Sequence, residues 1–388
     1  ADINNKRSIN GNSANHLIGF YIKNGGNFVN EGNIDFSNGK GNIGIYAPGG
    51  KATNKAKIFV GKTDDVDPLT GKPYTDASRI VYGIGMAADN GGHIINDESG
   101  EIRIYGNKSI GMYGSGQGTV VENRGKIYLD GSRTTAADKV QSMTGVYIDD
   151  GATFVNRGII RTADAYAGRD GKVNENVNGL VGVAIMNGST LENYGDILID
   201  AEDSYGLIIR GKRDSNGALE RYAVIKNYGN IKVAGKGAFG ISWKDVSQAD
   251  IDALKAQIDS KLTSDPRGRE IVQAAGTDKN YEGVSIAIKN GKPIFSIGGV
   301  QIPDSEVEKI EQIVGRESNV SMSDIGFYID TLGRTKPVNF VGVAPPVNSQ
   351  LIIGTEYSEI TNKKQWFLTG DMIKPFLQEI QGRNFKLT

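Results

Sequence analysis

Catalysis needs polar side chains that converge, and this sequence offers few. It has two histidines, His16 and His93, and no cysteine. A histidine triad or a zinc site needs partners at fixed geometry. No Gly-x-Ser-x-Gly, Gly-Asp-Ser-Gly or His-x-x-x-His pattern accompanies either one. Both sit near turn sequences and are read as turn residues. Gly114-Ser115-Gly116-Gln117-Gly118 lacks the lysine and following helix of a phosphate loop. No catalytic residue and no cofactor is assigned.

Acidic residues are the remaining chemistry. Polysaccharide-cleaving enzymes use paired carboxylates. Here Asp196 and Asp200 lie one strand apart and the others are dispersed over loops, the pattern of a solvated face. Asp64-Asp65-Val66-Asp67 could offer oxygen ligands to calcium, but Gly71 comes too late for an EF-type loop. The run is read as a solvated acidic loop, and no metal is assigned. Gly168-Arg169-Asp170 is not the Arg-Gly-Asp order. Trp243 and Trp366 stand beside predicted helices and are read as packing residues.

The elements that must position these residues are repetitive. One pattern is apolar-Gly-apolar, centred on Gly19, Gly44, Gly85, Gly111, Gly145, Gly182, Gly206 and Gly240, with a further copy at Ile325-Gly326-Phe327-Tyr328-Ile329. The other is Asn-x-Gly-x-Ile, beginning at Asn30, Asn123, Asn156, Asn193 and Asn227, with looser copies at Asn54 and Asn96. The two alternate in units of about 25 residues, too short for propeller blades. No Leu-x-x-Leu-x-Leu pattern supports a leucine-rich repeat. Period-two apolar runs with glycine punctuation mean strands. The predicted fold is all-β: a right-handed parallel β-helix whose coils stack as parallel sheets. The repeated Asn is expected to stack at a turn through its amide. The Gly two residues later is expected to supply a positive φ.

Insertions interrupt the coils at 62–79, 131–141, 163–178 and 211–222. In a solenoid such insertions gather on one face, often the binding face. The ligand or partner-binding candidates are therefore Asp64, Asp65, Asp67 and Tyr74 in the first, and Asp164, Tyr166, Arg169 and Asp170 in the third.

After Gly240 the texture changes. Ser247 to Asp250 resembles a capping box, and Ile251, Leu254, Ile258 and Leu262 follow at helical spacing until Pro266. Further helices are predicted over 304–314 and 371–380, with strands near 284–288 and 293–297. The expected division is 1–244 as regular coils with loop insertions. Residues 245–388 are then the β-helix end with helical elaborations, covering the exposed end of the stack and aiding its folding. Ile251, Leu254, Ile258, Val307, Ile310 and Phe376 are its expected contacts.

Composition narrows the class. The chain has 53 glycines in 388 residues and a net charge of −1 from 44 basic and 45 acidic residues. Without a basic face it is not a nucleic-acid binder. Without cysteine it is not a disulfide scaffold, and it suits a Gram-negative surface protein exported unfolded. It shows no signal peptide and no apolar run of about 18 residues, so it reads as an excised mature segment.

These coils resemble the passenger domains of large type V autotransporters, especially the fusobacterial adhesins of the RadD kind. The tail carries the more specific likeness, in Tyr281-Glu282-Gly283-Val284 through Gly291-Lys292-Pro293, Ser323 to Thr331, Leu351 to Glu356 and Gly370 to Phe376. In that family this region precedes a C-terminal membrane barrel, absent here. The resemblance implies a monomeric, non-enzymatic adhesin or stalk segment on the outer membrane, with surface proteins or glycans of other bacteria or host cells as partners. The alternative is a carbohydrate-active lyase or hydrolase on the same fold.

Overall fold

The computed structural model describes residues 2–61, 83–106, 108–130, 140–141, 143–163, 177–199, 201, 204–231, 246–276, 281–289, 292–314, 322–338, 340, 346–363, 369–377 and 385–387. The chain forms two compact units: Ala1–Val233 with Met322–Asn339 and Pro345–Thr388, and Ala234–Ser321 with Phe340–Ala344.

The first unit is a right-handed parallel β-helix. Each full coil contributes one strand to each of three parallel sheets. The glycine sheet has seven strands, from Ile18–Tyr21 to Tyr205–Ile209. The asparagine sheet has eleven, from Asp2–Asn5 to Phe385–Leu387, and the third sheet has eight, from Ile9–Asn10 to Asn230–Ile231. Alternation decides what faces inward. In the third sheet Ile34, Ile58, Ile102, Ile127, Ile160 and Ile197 pair in register and are fully buried. Each such side chain contributes about 1.5–3 kcal/mol of burial.

The asparagines form a continuous amide ladder. Asn5 donates from Nδ2 to Asn30 Oδ1 at 2.8 Å, and the chain of donors continues through Asn54, Asn96, Asn123, Asn156 and Asn193 to Asn227 at 2.8–3.0 Å. Each amide also donates within its own turn, as Asn30 does to the Gly32 carbonyl at 2.7 Å. From Asn30 to Asn193 the members are fully buried, so no water competes for these bonds.

Glycine serves close approach here. A Cβ on Gly44 would stand 2.6 Å from the Gly85 carbonyl oxygen, and one on Gly111 would stand 2.5 Å from that of Gly145. The same contact recurs at Gly19, Gly145 and Gly182. The glycines of Asn-x-Gly correct the sequence expectation. Gly125, Gly158, Gly195 and Gly229 do not have positive φ. They are required because a Cβ would strike the carbonyl of the preceding coil. Left-handed residues occupy another corner, in the pairs Asn90-Gly91, Asp150-Gly151 and Asn187-Gly188 that turn glycine strands into asparagine strands.

The tail differs from its sequence reading. Ile325–Ile329 looks like a copy of the glycine pattern, yet it pairs with Ala223–Asn227 in the asparagine sheet. A Cβ on Gly326 would meet the Ile352 side chain and no neighbouring glycine carbonyl. Ser349–Ile353 and Phe385–Leu387 extend the same sheet. Asp324 anchors the returning chain. Its carboxylate, 1% exposed, accepts two bonds from Arg213 at 2.5 and 2.8 Å and one from Asn348 at 2.6 Å.

The second unit has its own core. Helix Gln248–Ser264 starts at a Ser247–Asp250 capping box, and helices Pro266–Ala274 and Asp304–Val314 accompany it. They pack with an antiparallel sheet of Val284–Lys289, Lys292–Ile297 and Val300–Gln301 around Leu254, Ile258, Phe295, Ile297 and Ile310. The division is therefore not a single cut at 244/245. The segment after Gly240 contains no β-helix coil among its described residues until Met322, where the chain rejoins the first unit. Ile251 is buried in the helix Gln248–Ser264, while Phe376 belongs to the first unit.

Two outcomes test this account. Asn156→Ala removes one donor from the middle of the ladder and orphans buried amide groups on both sides, so it should cost about 1–3 kcal/mol in urea unfolding. Asn5→Ala, at the half-buried end, should cost less. The second concerns acid. Burial raises the Asp324 carboxyl, but hydrogen bonds from Arg213, Asn348 and Ser323 and the Arg213 charge hold it below the ordinary range. A depressed carboxylate stabilises the fold above its unfolded value of about 3.9, and that contribution is lost as pH falls through the folded value. The stability advantage over Asp324→Asn should thus be steady near neutral pH and shrink below about pH 4.

Candidate functional site

The insertions locate the site. Those at 62–79, 131–141 and 163–178 all separate a third-sheet strand from the glycine strand that follows: Lys57–Val60 from Gly83–Asp89, Lys126–Leu129 from Thr144–Asp149, and Ile159–Thr162 from Val181–Ile185. The ends of two of them pair, Val140 with Val177 and Gln141 with Asn178. The fourth, 211–222, follows the glycine strand Tyr205–Ile209. Every insertion thus borders the glycine sheet.

The candidates Asp64, Asp65, Asp67, Tyr74, Asp164, Tyr166, Arg169 and Asp170 lie outside the described residues, as do Asp200, Trp243 and Trp366. The fourth insertion is described. Its hairpin pairs Lys212 with Arg221 and lies on the corner turns. Lys212 binds Asp150 at 2.9 Å, and Arg221 donates to the Asn187 carbonyl at 3.1 Å.

The outer face of the glycine sheet is built in columns, because each outward position repeats from coil to coil. One column reads Ile18, Ile43, Ile84, Ile110, Thr144, Val181 and Tyr205. Beside it run Tyr21, Tyr46, Ala87, Tyr113, Tyr147, Ala184 and Ile208. Ile18 and Tyr21 are 48% and 52% exposed. Tyr21 meets Tyr46 edge-on at 5.3 Å, and Tyr113 stacks on Tyr147 at 6.0 Å. Carboxylates border the rings. Tyr46 donates its hydroxyl to Asp89 at 2.7 Å, and Asn187 donates to Asp149 at 2.7 Å. Burial, then the Asp89 hydrogen bond and charge, push the Tyr46 phenol up to about 12. Aromatic faces flanked by carboxylates can stack on apolar ring faces and accept bonds from hydroxyl or amide groups.

A second strip lies at the turns after Asn156, Asn193 and Asn227. Arg157, Tyr194, Tyr228 and Arg334 stack in sequence, with the two rings 4.7 Å apart and 4° from parallel. The fixed residues of the repeat do not point to it. Its signal is the middle residue of Asn-x-Gly, which is Arg124, Arg157, Tyr194 and Tyr228 in successive coils.

The two histidines lie among coil residues. His16 has a left-handed backbone and its ring lies against Gly41. His93 stands 3.6 Å from Glu122, whose carboxylate accepts two bonds from Arg124 at 2.8 and 3.1 Å. Burial lowers the His93 value, against the raising effect of the Glu122 charge. Among the described residues no three His, Asp or Glu side chains converge as a metal ion would require. The repeat residues Asn30, Asn123, Asn156, Asn193 and Asn227, with Gly19, Gly44, Gly111, Gly145 and Gly182, all serve stacking.

Residues 36–158 match a family model described as the BigA third pectate lyase-like domain. The matched stretch runs through the coils between the third-sheet strand Ile34–Phe36 and the turn after Asn156, and its description agrees with the parallel β-helix. No curated protein and no solved structure matches the chain.

The Tyr46–Asp89 bond gives a direct check. In Asp89→Asn the acceptor charge is gone, so the Tyr46 phenol should titrate closer to the ordinary tyrosine range. Ultraviolet difference titration of the variant against wild type should show one phenol moving down.

Proposed function

We propose that this chain is a non-enzymatic adhesin or stalk segment of a bacterial cell-surface protein, of the autotransporter-passenger kind, and that it attaches through the outer face of its glycine sheet. One observation carries the reading. The sheet that all four insertions border is also the one whose outer face repeats tyrosines beside carboxylates. The pectate lyase-like match over residues 36–158 supports the architecture, and the absence of cysteine suits export in an unfolded state. The partners are surface proteins or glycans of other bacteria or of host cells, and the location is the outer face of the outer membrane. Residues 245–388 also support folding of the coils in this reading, since a lone coil cannot bury its own apolar column.

The pectate lyase-like description favours a second reading, a polysaccharide lyase on the same scaffold. Lyase chemistry needs a group that removes a proton beside a carboxylate and a cation that stabilises the developing charge. Incubation with polygalacturonate and calcium separates the readings. Ultraviolet-absorbing unsaturated products, lost on mutating one carboxylate, would establish the enzyme and overturn the adhesin.

Binding is tested with the purified chain against bacterial cells, host cells and a glycan panel. Tyr113→Ala with Tyr147→Ala should abolish retention while the circular dichroism spectrum is unchanged. Deleting 62–79 and 163–178 should weaken it. Full retention in all variants would sink the assignment of this face.

A further inference from the structure

Among the described residues three tyrosine pairs meet ring to ring, and their geometries differ. Tyr21 and Tyr46 meet edge-on, 70° apart in plane. Tyr113 and Tyr147 stack loosely, at 6.0 Å and 18°. Tyr194 and Tyr228 are closer and flatter, at 4.7 Å and 4°. The backbone holds this last pair. Asn193 pairs with Asn227 in register, and the next residue's amide, of Tyr194 and of Tyr228, donates to the asparagine carbonyl of the coil before it at 2.7 Å. The outer ring faces are covered as well. The Arg157 guanidinium lies 4.4 Å from the Tyr194 ring centre and that of Arg334 lies 5.9 Å from the Tyr228 ring centre. Tyr194 is 39% exposed and Tyr228 is half-buried. The Tyr194 hydroxyl donates to the Glu192 carboxylate.

We propose that Tyr194 and Tyr228 form an oxidative cross-linking site, which takes a one-electron oxidant of the peroxidase class and closes as a dityrosine between neighbouring coils. Each phenol gives one electron to the oxidant and its hydroxyl proton to a base, Glu192 in the case of Tyr194. The two phenoxyl radicals join through the carbons ortho to their oxygens. The hydrogens on those carbons then return to the oxygens through solvent. One carbon–carbon bond forms, and one hydrogen peroxide is reduced to two waters by the two electrons and two protons released. Coupling requires two rings held together while both are oxidised, and the ladder register supplies that proximity in advance. The chain has no cysteine to consume the oxidant first. The product would tie two coils covalently, a restraint of the kind a disulfide supplies in other secreted proteins.

The test treats the dilute full chain with a peroxidase and hydrogen peroxide. It reads dityrosine fluorescence and maps cross-linked peptides by mass spectrometry. The expected product is monomeric and joins the peptide of Tyr194 to that of Tyr228, with the loss of two hydrogens. That peptide should vanish in Tyr194→Phe and in Tyr228→Phe, which keep a stackable ring, and form more slowly in Glu192→Gln. The wild-type map alone can overturn the proposal. It fails if the cross-link maps to Tyr21–Tyr46 or Tyr113–Tyr147, if it forms only between molecules, or if no dityrosine forms.

Discussion

The structure of the first unit depends on register. Each coil must lie on the last with no slip, because a one-residue shift would turn every inward side chain outward. Two groups of contacts fix it. The asparagine amides bond head to tail through the interior from Asn5 to Asn227, and each would lose its partners on slipping. The glycines permit the backbones to approach where any side chain would strike a carbonyl, as at Gly44 and Gly158. The first group rewards the correct alignment, and the second excludes larger residues from the same places. Stacking then brings the isoleucines of the third sheet into contact without further specification.

This division leaves the outside of the coils free to vary. Inward columns are nearly uniform, whereas outward columns change from sheet to sheet. The third sheet carries Arg103 over Tyr128 and an ion pair to Asp130. The asparagine sheet carries the Glu122–Arg124 ion pair with His93 beside it. The glycine sheet carries tyrosines and isoleucines. Only the last is bordered by all the insertions. A scaffold whose interior is held by backbone and amide contacts can accept long insertions at its corners at little cost in loop entropy.

Much of this was legible in the sequence because the constraint is periodic. Asn-x-Gly-x-Ile announces one corner, apolar-Gly-apolar announces the glycine strands, and the Ser247–Asp250 box announces the helix that follows. Other features were hidden for physical reasons. Ile325 to Ile329 alternates like a glycine strand, but period two fits any sheet, and only the chain's re-entry beside Arg210 places it with the asparagine strands. A glycine needed for close approach has the same letter as one needed for positive φ, so Gly125 and Gly158 misled in mechanism though not in place. The Asp324–Arg213 pair joins residues far apart in sequence and has no local signature. The tyrosine strip is hidden because Asn-x-Gly is defined by its fixed residues and leaves the one between them free to vary.

Hydrogen–deuterium exchange of the intact chain, resolved by peptide, tests the ladder most directly. Slowest exchange is expected in the asparagine strands of the central coils, Val120–Asn123, Thr153–Asn156 and Thr190–Asn193, with protection continuing into Ile325–Ile329 and a distinct rate for the 234–321 unit. Central asparagine strands that exchange as fast as the end strand Asp2–Asn5 would contradict the account.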